Sequence, residues 1–293
     1  MLNKLLTFIV IIELLFLFII KPVVKMKSNY KYSINVYKTS NLDEAKLENY
    51  VIGVVAAEMP ATFSIESLKA QAVASRTFAY KKIVNSKLNY DNLTSDKGQA
   101  YISLDEMRKK WNNNFDDYYN KIAQAVLSTR GEIITFNNEI INAYYFSLSN
   151  GKTEDSSQVF GEAKYLVSVD SPWDTENSSY NKTVFISLND FKNKLGIDGN
   201  IEINNINRSN TNRVQSIVIN NKTYDGIKFR KLFNLRSTDF EIEVNEDKII
   251  VNTKGYGHGV GMSQHGANSL AKEGKKYDEI IKYYYQGVKI SKI

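Results

Sequence analysis

The chain has 293 residues, 43% of them apolar and 24% charged, with a formal net charge of +6 and a pI near 9.0. That is enough apolar material for a buried core, and a mild basicity that suits an anionic surface without naming one. The absence of cysteine excludes disulfides, zinc ribbons, thiol nucleophiles and iron–sulfur clusters together.

Residues 5–20, LLTFIVIIELLFLFII, hold fourteen apolar side chains in sixteen. On an insertion scale these contribute roughly −4 to −8 kcal/mol, against about +3 kcal/mol for Glu13 at mid-span. As a helix the run is about 24 Å long at 1.5 Å per residue, and Lys4 and Lys21 extend it by snorkelling. No A-x-A cleavage site follows; Lys21-Pro22-Val23-Val24-Lys25 stands there instead. Residues 1–27 are therefore read as an uncleaved signal-anchor, a single transmembrane helix. Lys21, Lys25 and Lys27 outnumber Lys4, so flanking charge leaves its orientation open.

The rest, 28–293, is read as one α+β domain, a mixed helix/sheet unit with a central groove, in which 183–250 forms a lobe. YKYSINVYK (30–38) alternates as a strand. Residues 43–59 have helical spacing, with Leu47, Val51, Val54 and Val55 on one side, and Pro60 stops them. A second helix starts at Ser64; its face of Leu68, Ala72, Ser75 and Ala79 is mostly small. Residues 85–114 are polar and turn-rich. A third helix, DDYYNKIAQAVLSTRG, ends at Gly131. EIITF and EIINAYYFSLS read as a strand pair across Asn137-Asn138. Residues 171–183 form a loop, FISLNDFKNKLG is helical, and IEINNI, VQSIVIN, EIEVN and DKIIVN are strands. Two short helices close the chain, near 266–273 and 277–285.

Residues 255–266, GYGHGVGMSQHG, hold five of the fifteen glycines and both histidines, His258 and His265. The spacing is not G-x-G-x-x-G and no Lys-Ser/Thr follows, so this is no phosphate loop. Two histidines seven apart, with no acid between them, leave a metal site short of ligands; no metal or other cofactor is expected. A polymer groove fits better, since glycines let backbone approach a bulky ligand and Ser263, Gln264 and the imidazoles offer neutral donors and acceptors. A tight corner whose histidines cap backbone groups is the plainer alternative. Glu58, flanked by Ala56, Ala57 and Met59, is the second feature. Apolar burial raises a carboxyl pKa and suits a general acid, whereas the helix start at Ser64 favours the anion. A surface glutamate at a helix end is again the plainer alternative.

Three blocks, EMPATFSIESLKAQAVASRTFAY, TRGEIITFNNEIINAYYFSLSNGKTEDSSQVFGEAKYLVSVDSPWD and GYGHGVGMSQHGANSLAKEGKKYDEIIKYYYQGVKI, together with KFRKLFNLRSTDF between the last two, resemble the stage II sporulation protein D family, which includes amidase enhancers. The resemblance spans about residues 30–290, in the expected order. It implies a membrane-anchored lytic transglycosylase of sporulation engulfment that cuts peptidoglycan between N-acetylmuramic acid and N-acetylglucosamine, on strands whose stem peptides an amidase has removed. Glu58 matches the catalytic glutamate, acting as acid and then base and leaving a 1,6-anhydro end. Gln71, Arg76, Ser147, Ser149, Asn150, Gly151, Thr153, His258, Ser263 and Gln264 match substrate-binding positions, with Arg76 on the lactyl carboxylate or orienting Glu58; a structural ion pair is the plainer alternative for Arg76. His265 ranks below His258, because that position often carries Tyr. Asn150 stands where the family more often has glycine. Hydrolysis needs a second carboxylate about 5–9.5 Å away; Glu154 and Asp155 are the candidates.

The implied partners are glycan strands, a sporulation amidase and a membrane protein of the engulfment complex, with the domain on the outer, cell-wall face of the membrane. A glycan-binding amidase enhancer without catalysis is the alternative. Nucleic acid is not expected, for want of a basic stripe interleaved with aromatics.

Overall fold

A first helix, α1 (Leu42–Glu58), opens the part of the chain that the computed structural model describes, residues 42–86 and 99–293. The anchor expected at 1–27 and the strand at 30–38 lie outside the described residues. Leu47, Val51, Val54 and Val55 are buried, and they meet Leu68, Ala72 and Ala79 of α2 (Ile65–Ser86) in one apolar cluster. Each such Val or Leu contributes about 1.5–3 kcal/mol on full burial. The small side chains of α2 let it serve as the central helix, packed on α1 and on four later elements.

α3 (Leu104–Trp111) corrects the reading of 85–114 as turn-rich throughout. The Ser103 hydroxyl accepts from the Glu106 amide, and the Glu106 carboxylate accepts from the Ser103 amide, a capping box carried by the S-x-x-E order of residues 103–106. Met107 and Trp111 bury this short helix against the first cluster. α4 (Phe115–Ser128) follows, then β1 (Glu132–Phe136) and β2 (Glu139–Ile140), antiparallel across Asn137 and Asn138. Both asparagines have positive φ, 51° and 65°, as a tight hairpin turn requires. The second strand ends at Ile140, short of the run the sequence indicates. The chain forms β3 (Tyr145–Phe146) instead, which pairs elsewhere.

β4 (Asn181–Ser187) takes the first residues of FISLNDFKNKLG, so the helix α5 (Leu188–Leu195) starts later than expected, capped by the Ser187 hydroxyl. β5 (Ile203–Arg208), β6 (Val214–Ile219) and β7 (Lys222–Asp225) form one antiparallel sheet. After α6 (Gly226–Leu232), β8 (Phe240–Val244) and β9 (Lys248–Lys254) form another with β4. These sheets and α5 and α6 share their own apolar cluster around Phe191, Phe229 and Phe240. β10 (Met262–Ser263), α7 (Gln264–Lys272) and α8 (Tyr277–Tyr284) return to α2, and β11 (Lys289–Lys292) pairs with β1. The architecture is mixed α+β. Among the described residues no helix is long and apolar enough to cross a membrane.

Candidate active site

Glu58 is the last residue of α1, and the chain then turns through Pro60 to the start of α2. The negative end of the α1 dipole disfavours an anion there. Glu58 Oε1 accepts from the Ala100 amide at 3.1 Å and faces the Tyr145 hydroxyl at 3.5 Å. Oε2 lies 3.5 Å from Gln264 Nε2, at the limit of a hydrogen bond. Burial holds the carboxyl above its usual range, and the bonds from Ala100, Gln264 and Tyr145 pull it part of the way back. Oε1 faces two donors and Oε2 a single marginal one, which favours the proton on Oε2.

Neutral polar groups stand beneath this carboxyl. Gln99 Nε2 donates to the Tyr145 hydroxyl oxygen at 2.9 Å, which leaves the phenol proton to point at Glu58. The Tyr145 hydroxyl keeps that proton, its pKa pushed far above the ordinary phenol value by burial and then by the Glu58 charge. Gln264 Nε2 also reaches Gln71 Oε1 at 3.4 Å, and Gln71 Nε2 donates to the Ser75 hydroxyl. Glu58 opens into a cleft of about 390 Å³ lined by Ala57, Met59, Pro60, Phe63, Lys110, Ser147, Gln264 and His265 as well. Among these residues Glu58 is the one acid.

The glycine-rich stretch reaches the cleft by lying along residues 144–149. Leu148 bridges Tyr256, and β10 pairs with β3 in parallel, Met262 opposite Tyr145 and Ser263 opposite Phe146. Close approach explains the glycines. At Gly261, φ is +80° and a Cβ would stand 2.0 Å from the Tyr144 carbonyl oxygen; at Gly257 it would meet Phe146 at 2.7 Å. The expectation that these glycines lie against a ligand is therefore corrected: they lie against the protein's own backbone and side chains. The stretch delivers Gln264 and His265 to the cleft at the first turn of α7.

His258 behaves as a corner residue. Its Nδ1 accepts from the Val260 amide at 3.1 Å, and its ring packs on Tyr144, Phe146 and Phe160. Burial, then the Arg230 charge, push its pKa down to about 4, against a hydrogen bond with the Tyr145 backbone. His265, ranked second in the sequence, is the histidine that lines the cleft, edge-on to Phe63 with ring centroids 5.0 Å apart. Asn177 bonds its Nδ1, and burial lowers its pKa.

Arg76 is not at the cleft. It is fully buried, with Nε and Nη2 on Glu48 at 2.8 and 2.6 Å and further bonds to the Val126 and Glu132 carbonyls. All three of its nitrogens bond to protein, which corrects its assignment to substrate. Ser147 lines the cleft, but the loop after it faces away. Ser149 gives its amide to Asp174 and its hydroxyl to the Ser171 carbonyl. The Asn150 side chain bonds Thr211 and Asp239, its backbone is not left-handed, and Gly151 is. Thr153 accepts from the Val169 amide. Ser263 donates to Asp174 at 2.7 Å and caps α7 through the Gly266 amide. None of Ser149, Asn150, Gly151, Thr153 and Ser263 lines the cleft. Glu154 accepts from Ser209 and Thr211 at 2.6 Å each, and Asp155 caps a short turn; neither lines the cleft. Among the described residues no group of three or more His, Cys, Asp or Glu side chains could hold a metal ion. Tyr145, Gln99 and Lys110 were not singled out from sequence.

Fold and cleft together define an α+β protein whose cleft holds one acid, its pKa raised by burial, with neutral donors on its carboxyl oxygens and Lys110 in the lining. A family model described as "Stage II sporulation protein" matches residues 36–136. The chain is 46% identical over 270 residues to stage II sporulation protein D of Bacillus subtilis (strain 168), covering 88% of this chain and 79% of that protein. It is 43% identical to stage II sporulation protein D of Bacillus amyloliquefaciens, covering 88% and 78%. The amidase enhancer of Bacillus subtilis (strain 168) is 26% identical, covering 82% of this chain and 40% of that protein. The chain belongs to the stage II sporulation protein D family.

Proposed function

We propose that the protein is a cell-wall-acting lytic transglycosylase of sporulation, anchored by residues 1–27 with its domain on the outer face of the membrane. Glu58 donates its Oε2 proton to the oxygen linking N-acetylmuramic acid to N-acetylglucosamine, and the C1–oxygen bond breaks through an oxocarbenium-like state. The resulting carboxylate takes the proton of the muramoyl 6-hydroxyl as that oxygen attacks C1. A 1,6-anhydro ring forms, no water is consumed, and Glu58 ends protonated as it began. The observation that carries this reading is the cleft's single acid, raised in pKa by burial and flanked by neutral donors. Paired-carboxylate hydrolysis lacks its second group among the lining residues.

Tyr145 and the Ala100 amide are placed to stabilise the transient carboxylate, and Gln264 to orient Oε2. Proton transfer by a positioned group supplies about 10²–10⁴-fold; strand alignment along Phe63, Ser147 and His265 supplies the remainder. A peptidoglycan amidase that strips the stem peptides, and a membrane protein of the engulfment machinery, are the partners this reading calls for.

Mass spectrometry of peptide-free glycan strands after digestion tests the reading. Anhydro-muramoyl ends that vanish in Glu58→Gln support it. Ordinary reducing ends mean a hydrolase. Uncut strands that still bind mean a non-catalytic amidase enhancer, the function named for one relative.

A further inference from the structure

The core position of Arg76 leaves the cleft with a different cation. Lys110, at the penultimate position of α3, lines the cleft that holds Glu58. Its Nζ donates to the Ala56 carbonyl at 2.9 Å, two residues before Glu58. That partner is neutral, and no carboxylate of the described residues forms an ion pair with Lys110. Burial lowers the pKa of His265, the other basic group lining the cleft, and so disfavours its charged form. The influences on the Glu58 carboxyl are burial and three hydrogen bonds, with no cation among them. The Lys110 charge is thus held at the rim of the cleft and not spent on the acid.

A cation kept beside a protonated acid makes the cleft net positive when it is ready to react. Its lining is partly apolar, with Ala57, Met59, Pro60 and Phe63, while Lys110 itself is exposed, so a charge contact made there is open to screening by salt. On the sugar chain itself, the anion such a site can meet is the muramoyl lactyl carboxylate, free only where no stem peptide is attached. A stem peptide converts that carboxylate to an uncharged amide and adds bulk.

We propose that Lys110 is a specificity-determining residue that binds the free lactyl carboxylate of the muramoyl unit, and so selects strands from which the peptide has been removed. This rests on the transglycosylase reading of Glu58. Removal of the peptide creates the recognised charge, so the reaction that supplies this substrate is hydrolysis of the lactyl amide. The contact exchanges the Ala56 carbonyl for a carboxylate oxygen, a charge-assisted bond in place of a neutral acceptor.

The test compares two probes on the full-length protein: glycan oligomers with free lactyl carboxylates, and the same oligomers with each carboxylate converted to its methylamide. The wild type should cleave the first with a kcat/KM about tenfold higher, the discrimination one charge-assisted hydrogen bond supplies, and the ratio should shrink as salt rises. In Lys110→Met the ratio should collapse to about one, and Lys110→Arg should restore most of it. A wild-type ratio near one overturns the proposal without any variant. A ratio that persists in a folded Lys110→Met protein also overturns it. If neither probe yields anhydro ends, the transglycosylase reading itself fails, which is a distinct result.

Discussion

Gln264 Nε2 lies 3.5 Å from Glu58 Oε2 although 206 residues separate them in sequence. The contact exists because Gly261 lets residues 255–263 run against the 144–149 segment, and because Ser263 fixes the start of α7. The same pairing sets Tyr145 against Met262 and puts its hydroxyl on the other carboxyl oxygen of Glu58. Acid, phenol and amide therefore depend on one another for position.

Tyr145→Phe removes a donor that favours the Glu58 anion. The Glu58 pKa should rise further, so the alkaline limb of the pH–rate profile should move to higher pH. The carboxylate formed in the first step also loses a partner, and kcat should fall about tenfold, the low end for a bond to a charged group, given its length. A profile unchanged in position and height would remove Tyr145 from the site.

Glu58 also bears on stability. Its folded pKa lies above the ordinary carboxyl value because of burial, so the folded state binds the proton more tightly than the unfolded state does. That stabilisation is complete below the ordinary carboxyl pKa and is lost as pH rises through the folded pKa. Glu58→Gln carries no such loss. It should melt at the same or a higher temperature than the wild type at pH 7, with the difference closing near pH 4. Thermal denaturation at both values checks the sign; a variant less stable at pH 7 than at pH 4, relative to wild type, would contradict it.

Arg76 and Glu48 form a fully buried ion pair. Arg76→Met leaves a carboxylate buried without its partner and should destabilise by about 3–5 kcal/mol. The double variant Arg76→Met with Glu48→Leu should recover a large part of this. Urea denaturation measures both, and a folded Arg76→Met protein that loses activity alone would return Arg76 to the cleft.

His258 has the opposite pH signature to Glu58. Its pKa falls from 6.5 to about 4 on folding, because burial disfavours the charged ring. Its contribution is present above pH 6.5 and is lost as pH falls toward 4, about 3 kcal/mol over that window. His258→Gln should flatten this acid loss while lowering stability at neutral pH. A corner residue should show up in melting curves before it shows up in kcat.

Much of this was readable from residue order. The helix stop at Pro60 places Glu58 at a helix end, and Asn137-Asn138 marks a hairpin turn that the φ values of both residues bear out. The groove membership of particular side chains was not readable. His258 and His265 lie seven residues apart on one glycine-rich stretch, and only the parallel β3–β10 register decides that the second reaches the cleft. Tyr144 and Tyr145 are adjacent and chemically alike, and the same register selects Tyr145. Arg76 sits on the face of α2 that packs against α1 and α4, and no sequence pattern shows that Glu48 is waiting there. Lys110 lies in a helix hidden within a polar run, where the S-x-x-E box at 103–106 was the available signal.

A digestion of peptide-free strands in water enriched with oxygen-18 tests most directly whether one carboxyl does both proton transfers. The account predicts new muramoyl ends of anhydro mass with no heavy oxygen incorporated, at every time point. Reducing ends about 20 mass units above the anhydro mass, the mass of one heavy water, formed at the rate of cleavage, would show that water attacks C1 and would contradict it.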